Sequence, residues 1–201
     1  WSFCNDKVLS TLGEGGMIST NSKFLFEKIW YLKEIGKDYR LMNKKFPNDT
    51  YRWVHNNFGT NLRMTEAQSA IGRLQLRSLN NYIKKRNYNA KKILNCCKKF
   101  KSIIIPHIEK KITHAFYRCY IKINKDKLKT GWSRNKIIHQ LIKRNVPCNE
   151  GSCSELYREK SFKKNNLGPK KRLINAKKLG ETSIAFQVHP GINLNDLKKI
   201  L

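Results

Sequence analysis

Strand-like and helix-like segments alternate along the second half of the chain, and this alternation limits the folds open to it. Residues 103–105 and 115–123 have the apolar character of strands, and the second segment alternates apolar with polar side chains. Residues 133–145 have the pattern of a helix capped by its first serine, and residues 183–188 form a further strand candidate. Because strands and interleaved helices pack as layers around one core, the pattern predicts an α/β fold.

The first half of the chain begins with a predicted helix between less regular segments. Asn21 or Ser22 can cap this helix, which has a wide apolar face and stops at Gly36. A short strand candidate precedes it at residues 17–20. Residues 37–60 are polar and predict a loop.

A second helix is predicted to open at Thr65. Thr65 and Gln68 have the S/T-x-x-E/Q spacing of a capping box, in which each residue satisfies a backbone amide of the other. The helical pattern weakens at residues 80–81, where we expect a break, and a very basic helical stretch follows. The change of character near this point predicts two domains, residues 1–78 and 79–201.

The net charge of +28 comes mostly from lysines that are spread through every segment. A nucleic-acid-binding surface usually concentrates its positive charge, often with aromatic side chains among the basic ones. The densest basic run, at residues 83–101, is predicted instead to be the solvated face of a long helix. Nucleic acid is therefore not an expected partner, although a basic nucleic-acid-binding module remains an alternative function.

The six cysteines lack the spacing of a metal site or a disulfide framework. Cys96 and Cys97 are adjacent, and no C-x-x-C pair occurs. The apolar runs are too short to cross a bilayer, and no targeting segment is visible. We expect a cytoplasmic protein with reduced thiols, no metal site and no membrane contact.

The candidate chemistry lies in the first residues, where Ser2 and Lys7 precede a glycine-rich turn at residues 13–16. A lysine becomes a nucleophile only when its amine loses its proton. A lysine beside glycines and hydroxyl groups could bond to a pyridoxal cofactor, with Ser2 donating to the phosphate. Taken alone, any single lysine is more often a solvated surface residue.

Four blocks of sequence resemble one protein family in the same order. The S-F-x-x-x-K block at residues 2–7, followed by G-E-G-G-M at 13–17, resembles the cofactor-lysine block of the DegT/DnrJ/StrS-type nucleotide-sugar aminotransferases. Residues 58–66 look like the family's G-x-N-x-R-(M/L)-T-(D/E) segment, which opens a helix. Residues 150–157 and 180–190 are similar to C-terminal segments of one branch of the family. The resemblance extends over all 201 residues.

The resemblance implies a chemistry and a set of roles. The cofactor is pyridoxal 5'-phosphate; Lys7 bonds to it and moves protons as general acid and base, while Ser2 binds its phosphate. Asn61 reaches the phosphate in the neighbouring subunit, because these active sites form at the interface of a homodimer. The amino group passes from a donor, expected to be glutamate, to a nucleotide-diphosphate keto-sugar, for amino-sugar and surface polysaccharide synthesis. Relatives that act as dehydratases carry histidine in place of the lysine, so Lys7 favours amination.

Several of these positions also suit a purely structural role. Asn61 fits a turn that leads into a helix. Arg63 suits either a ligand for phosphate or carboxylate or a structural ion pair. Glu14 is interpreted as a structural residue that holds the turn, and His189 as part of a turn before a last helix near residue 193.

The resemblance also implies that further essential groups lie upstream of the lysine. These are an aromatic residue that stacks on the cofactor, an acidic partner for its pyridine nitrogen and a phosphate-binding helix N-terminus. Only residues 1–6 precede Lys7, so we expect the chain to be about the C-terminal half of an enzyme. Residues 1–78 would end the PLP-binding large domain, and residues 79–201 would form a small C-terminal α/β domain. We expect this polypeptide alone neither to bind the cofactor tightly nor to catalyse the reaction. Besides the nucleic-acid-binding module, a non-catalytic relative of the aminotransferase family is the second alternative function.

Overall fold

A computed structural model describes residues 1–42, 44–45, 53–192 and 195 of the chain. It contains two compact units, Trp1–Ser78 and Leu79–Leu201. Helices alternate with the strands of a small antiparallel sheet, so the predicted α/β class is confirmed. The assignment of the first unit as the end of a cofactor-binding domain remains a prediction.

The described part of the first unit contains two helices and the start of a third: α1 (Lys23–Lys33), α2 (Tyr39–Met42) and α3 (Glu66–Cys97). Ser22 caps α1 as predicted, because its hydroxyl accepts a hydrogen bond of 3.3 Å from the amide of Leu25. The helix ends where the amide of Gly36 donates to the carbonyl oxygen of Tyr31 at 2.8 Å. Gly36 has a φ of +81°, a backbone conformation that few residues other than glycine adopt.

Two predictions for the first unit are wrong. Residues 17–20 do not form a strand, because the pairing of this segment with the start of the chain stops after Gly16 and Met17. The region 37–60 includes the short helix α2, because the carboxylate of Asp38 accepts a hydrogen bond of 2.8 Å from the amide of Arg40 and starts a helical turn. Part of this region lies outside the described residues.

The helix α3 confirms one prediction and overturns another. The amide of Gln68 donates to the Thr65 hydroxyl at 3.3 Å, and the amide of Thr65 donates to the Gln68 side chain at 3.0 Å, so the capping box forms. The expected break at residues 80–81 is absent, since α3 is continuous from Glu66 to Cys97. Asparagine disfavours helix only weakly, and packing of the apolar face of α3 outweighs that preference.

The basic run on α3 is the solvated surface that the sequence predicted, with one exception. Its lysines are exposed, whereas Arg86 is 5% exposed. Arg86 donates hydrogen bonds of 3.1 and 3.2 Å to the carbonyl oxygens of Phe116 and Tyr117. These bonds hold the chain at Phe116, which has a φ of +47°.

The second unit is built on one antiparallel sheet. Its strands β1 (Ile103–Ile104), β2 (Cys119–Ile123), β3 (Cys148–Asn149) and β4 (Ser183–Phe186) lie in the order β1-β2-β4-β3. Their inward side chains pack with α3 and with neighbouring loop residues in one core. The buried residues of this core include Ala90, Ile93, Leu94, Cys97, Cys119, Ile121, Ile123, Val146, Cys148, Ile184, Phe186 and Val188. The strands predicted at 103–105, 115–123 and 183–188 are therefore present, although each is shorter than predicted.

The described part of the second unit contains three further α-helices: α4 (Arg134–Lys143), α5 (Lys160–Lys164) and α6 (Ile174–Thr182). The Ser133 hydroxyl caps α4 at 3.2 Å from the amide of Lys136, as predicted. The helix α6 was not predicted, and the last helix expected near residue 193 lies outside the described residues. No helix in the described part of the chain is both long and apolar enough to cross a membrane.

Acid is expected to weaken the second unit through Glu155. Its carboxylate accepts hydrogen bonds of 2.7 and 2.6 Å from Arg172 and one of 2.7 Å from Tyr157. The Arg172 hydrogen bond is the largest cause that lowers the pKa of Glu155 from 4.5 to about 2. Because the folded-state pKa is depressed, the stabilisation is present above pH 4.5 and is lost as the pH falls towards 2.

Urea unfolding followed across that pH window measures this effect. We expect the urea midpoint of the wild-type protein to decrease more steeply with acid than that of Glu155→Gln, which has no proton to gain. Parallel curves for the two proteins would show that the Glu155 contacts do not support the fold.

Candidate functional site

The lysine singled out by the sequence lies on a closed loop, residues 1–17, which we call the lysine loop. Its two ends pair. The amide of Phe3 donates to the carbonyl oxygen of Gly15 at 2.8 Å, and the amide of Met17 donates to the carbonyl oxygen of Trp1 at 3.0 Å. The amide of Thr11 folds back to the carbonyl oxygen of Phe3 at 3.1 Å. These contacts fix the backbone on both sides of the lysine.

Lys7 and Ser2 are both carried by this loop. The amide of Lys7 donates to the carbonyl oxygen of Cys4 at 3.0 Å, and its Nζ lies 2.8 Å from Oδ1 of Asp6. The Lys7 side chain is 33% exposed, so the amine can be reached from solvent. Ser2 is exposed, and its hydroxyl accepts a hydrogen bond of 3.4 Å from the amide of Cys4, which leaves its O–H proton able to donate elsewhere.

The lysine loop is attached to the N-terminal turn of α3. The Gln68 side chain, besides closing the capping box, donates to the carbonyl oxygen of Glu14 at 2.8 Å. The buried Thr11 lies against Gly15 and Gly72, where a Cβ on either glycine would collide with the Thr11 side chain. This attachment was not predicted from the sequence, although the glycines at these two positions were a signal of close packing.

Glu14 has the structural role that the sequence predicted. Its Oε1 accepts a hydrogen bond of 3.1 Å from Sγ of Cys4, so it joins the two sides of the lysine loop. This hydrogen bond is the largest of the causes that raise the pKa of the Cys4 thiol above its ordinary value. A thiol with a raised pKa is a poorer nucleophile at neutral pH, so this hydrogen bond disfavours Cys4 as a nucleophile.

Asn61 lies on a separate segment, paired with the end of α1. The amide of Thr60 donates to the carbonyl oxygen of Leu32 at 2.7 Å, and the amide of Leu62 donates to the carbonyl oxygen of Lys33 at 3.1 Å. Asn61 itself forms a backbone bridge with Glu34 and is exposed. The pairing places the Asn61 side chain at a fixed point of the first unit.

Arg63 and Glu34 lie beside the Asn61 side chain. The Nε of Arg63 donates to Oδ1 of Asn61 at 2.8 Å and lies 3.6 Å from Oε2 of Glu34. Glu34 is 7% exposed and also pairs with the ammonium group of Lys33. The structural ion pair, one of the two roles that the sequence left open for Arg63, is therefore present. No pattern in the sequence indicated Glu34, because Arg63 lies almost thirty residues away from it along the chain.

Lys7 and Ser2 on the lysine loop, and Asn61 on a separate segment, carry groups of the kinds that pyridoxal phosphate requires. Lys7 supplies an accessible amine for a carbonyl carbon, and the Ser2 hydroxyl and the Asn61 amide supply neutral donors for phosphate oxygens. The backbone that carries each of these three residues is held by hydrogen bonds to neighbouring segments. The backbone at each of these positions therefore loses little conformational freedom when a ligand binds.

An α/β unit of this topology, following a lysine on a glycine-rich loop, is the fold of the C-terminal portion of a pyridoxal-phosphate-dependent aminotransferase. The chain belongs to the DegT/DnrJ/EryC1/StrS aminotransferase family, whose model matches residues 1–201. The family comprises sugar aminotransferases and related nucleotide-sugar-modifying enzymes, and its cofactor is pyridoxal phosphate.

Three relatives show how far the similarity extends. The structure of an aminotransferase from Psychrobacter cryohalolentis is 41% identical with a TM-score of 0.90, over 100% of this chain and 53% of that one. The spore coat polysaccharide biosynthesis protein SpsC of Bacillus subtilis is 28% identical over 70% of this chain and 36% of its own length. GDP-perosamine synthase of Caulobacter vibrioides is 38% identical over 43% of this chain and 20% of its own. The chain spans about half the length of the aminotransferase structure that it matches.

Proposed function

We propose that this chain is the C-terminal part of an enzyme that transfers an amino group from glutamate to a nucleotide-diphosphate keto-sugar, with Lys7 as the catalytic residue. The observation that carries the proposal is the accessible Lys7 amine on a loop fixed at both ends, in a chain that matches the family from its first residue to its last. The similarity to SpsC and to GDP-perosamine synthase supports a product used in polysaccharide synthesis. The cytoplasmic location expected from the sequence is part of the same proposal.

The proposed roles follow from the positions of the three donors. When bound, the cofactor supplies an electron sink for the C–H bond that breaks beside its nitrogen. Lys7 would hold the cofactor and, after release from it, move a proton between two carbon atoms, for which its amine must leave the carboxylate of Asp6. The Ser2 hydroxyl would donate to the phosphate. A lysine, rather than the histidine of dehydrating relatives, supports amination as the outcome.

Addition of L-glutamate to the full-length protein loaded with pyridoxal phosphate tests this function. We expect the absorbance spectrum of the bound cofactor to change to that of its aminated form, with one 2-oxoglutarate released per site. A protein that binds no cofactor, or binds it and does not respond to any amino donor, would contradict the proposal. In that case the basic surface of α3 would be the feature to pursue, by salt-dependent binding to nucleic acid.

The second part of the proposal is a homodimer in which Asn61 acts on the phosphate bound by its partner. Mixing Lys7→Ala with Asn61→Ala subunits tests it, because a mixed dimer would then have both lesions in one site and neither in the other. If subunits exchange freely, about a quarter of all sites regain full activity, since half of the dimers are mixed. If Asn61 acts within its own subunit, no site is intact and the activity of the mixture stays at the mean of its two components.

A further inference from the structure

We infer that Arg63 and Glu34 are positioning residues that set the direction of the Asn61 amide. An arginine Nε–H can only donate a hydrogen bond, so the Asn61 atom that it contacts at 2.8 Å must be the amide oxygen. The amide nitrogen, with its two N–H donors, is then turned away from Arg63. An anionic oxygen on that far side would then meet the N–H donors rather than the amide oxygen.

Glu34 fixes the arginine that fixes the amide. The Glu34 side chain is 9% exposed, and its carboxylate lies 3.6 Å from Nε of Arg63. Rotation of the guanidinium away from Asn61 would therefore leave a buried negative charge with one partner fewer. Lys33 pairs with the same carboxylate but is its neighbour on the backbone, so that pair does not connect α1 to the segment of Asn61. The chain of contacts therefore runs from Glu34 through Arg63 to the oxygen of Asn61.

The backbone supports the same arrangement. Glu34 and Asn61 are opposite each other in the bridge between the end of α1 and the segment after Gly59, so their side chains start from fixed points. A Cβ at Gly59 would collide with the carbonyl oxygen of Tyr31, which shows how closely the two segments approach. Arg63 lies two residues beyond Asn61, on the same side of the extended segment.

The inference rests on the proposed role of Asn61 as a ligand of the cofactor phosphate. Without Arg63, the amide can present either its oxygen or its nitrogen to the phosphate, and the oxygen repels it. The fraction of the protein that can bind falls, and the apparent dissociation constant rises by the inverse of that fraction. We expect Arg63→Met and Glu34→Gln each to weaken binding of pyridoxal phosphate by about fivefold.

Dissociation constants of the full-length protein, measured by cofactor fluorescence, test this for pyridoxal phosphate and for pyridoxal, which lacks the phosphate. The variants are Asn61→Ala, Arg63→Met, Glu34→Gln and the double variant Asn61→Ala with Arg63→Met. Glu27→Gln is the matched control. Glu27 also forms an ion pair with an arginine of the first unit, Arg40, at 2.8 Å, but this pair joins α1 to α2 and not to the segment of Asn61. Thermal unfolding of each variant identifies any loss of fold. If Arg63→Met does not fold, the binding measurement on Glu34→Gln tests the inference in its place.

The expected result is weaker binding of pyridoxal phosphate but not of pyridoxal, with the double variant no weaker than Asn61→Ala, because Arg63 then has nothing to orient. Additive losses, or equal losses for both ligands, would overturn the inference while leaving Asn61 as a phosphate ligand. If Asn61→Ala itself binds as the wild type does, both this inference and the proposed role of Asn61 are wrong. The role of Lys7 would be untouched by either result.

Discussion

Replacement of Lys7 by alanine is expected to lower kcat/KM of the full-length enzyme by more than about a thousandfold. The variant loses both the amine that holds the cofactor and the group that moves the proton in each half of the reaction. The backbone pairs of the lysine loop, the Cys4–Glu14 hydrogen bond and the attachment through Gln68 do not involve the Lys7 side chain. The fold should therefore survive the substitution, and steady-state kinetics measure the loss of chemistry alone.

Lys23→Ala is the control for this experiment, because Lys23 is an exposed lysine of the same unit, at the first turn of α1. Its kinetics should match those of the wild type. Added methylamine should restore part of the lost activity to Lys7→Ala, since a free amine can replace the missing proton carrier. Turnover by Lys7→Ala within about tenfold of wild type would show that another group moves the proton.

Replacement of Gly36 by alanine is expected to have the largest effect on stability, about 3 kcal/mol. Gly36 has a φ of +81°, and a Cβ there would overlap the carbonyl oxygen of Asn57. The amide of Gly36 also closes the end of α1, and its carbonyl oxygen accepts from the amides of Asn56 and Asn57 at 3.1 and 3.2 Å. The substitution therefore forces apart the two segments that hold Asn61 in place.

Gly131→Ala separates backbone strain from collision in this prediction. Gly131 has a similar φ of +76°, but nothing lies within 4 Å of its Cβ position. Its replacement should cost about 1 kcal/mol, the strain of the left-handed conformation alone. Urea unfolding of both variants gives the comparison, and equal losses would show that the contact between residues 36 and 57 is loose in solution.

Features that depend on neighbours in the chain could be predicted from the sequence. Ser22, Thr65 and Ser133 cap helices because a hydroxyl can reach an amide three residues ahead, and spacing alone reveals this geometry. The strands β1, β2 and β4 followed from their apolar runs and the alternation in β2, whereas β3 was not predicted. The break expected at residues 80–81 was wrong because local preference is weak against the packing of a long helix.

The contacts between distant segments could not be predicted in this way. The Gln68 side chain meets Glu14 across 54 residues, and Arg86 reaches Phe116 across 30. Glu34 and Arg63 likewise meet only because α1 and the segment after Gly59 are paired. The sequence indicated Lys7, Ser2 and Asn61 through a resemblance to a family, whereas the residues that hold them became visible only in the fold.

The most direct test of the central claim is the transfer of labelled nitrogen. The full-length protein would be incubated with pyridoxal phosphate, L-glutamate carrying nitrogen-15 and a panel of nucleotide-diphosphate keto-sugars, and the nucleotide sugars would then be analysed by mass spectrometry. We expect the label in one nucleotide amino-sugar for the wild-type protein and in none for Lys7→Ala. Conversion of a keto-sugar without incorporation of the label would contradict an aminotransferase that depends on Lys7. The same conclusion would follow if the protein bound the cofactor and converted none of the keto-sugars.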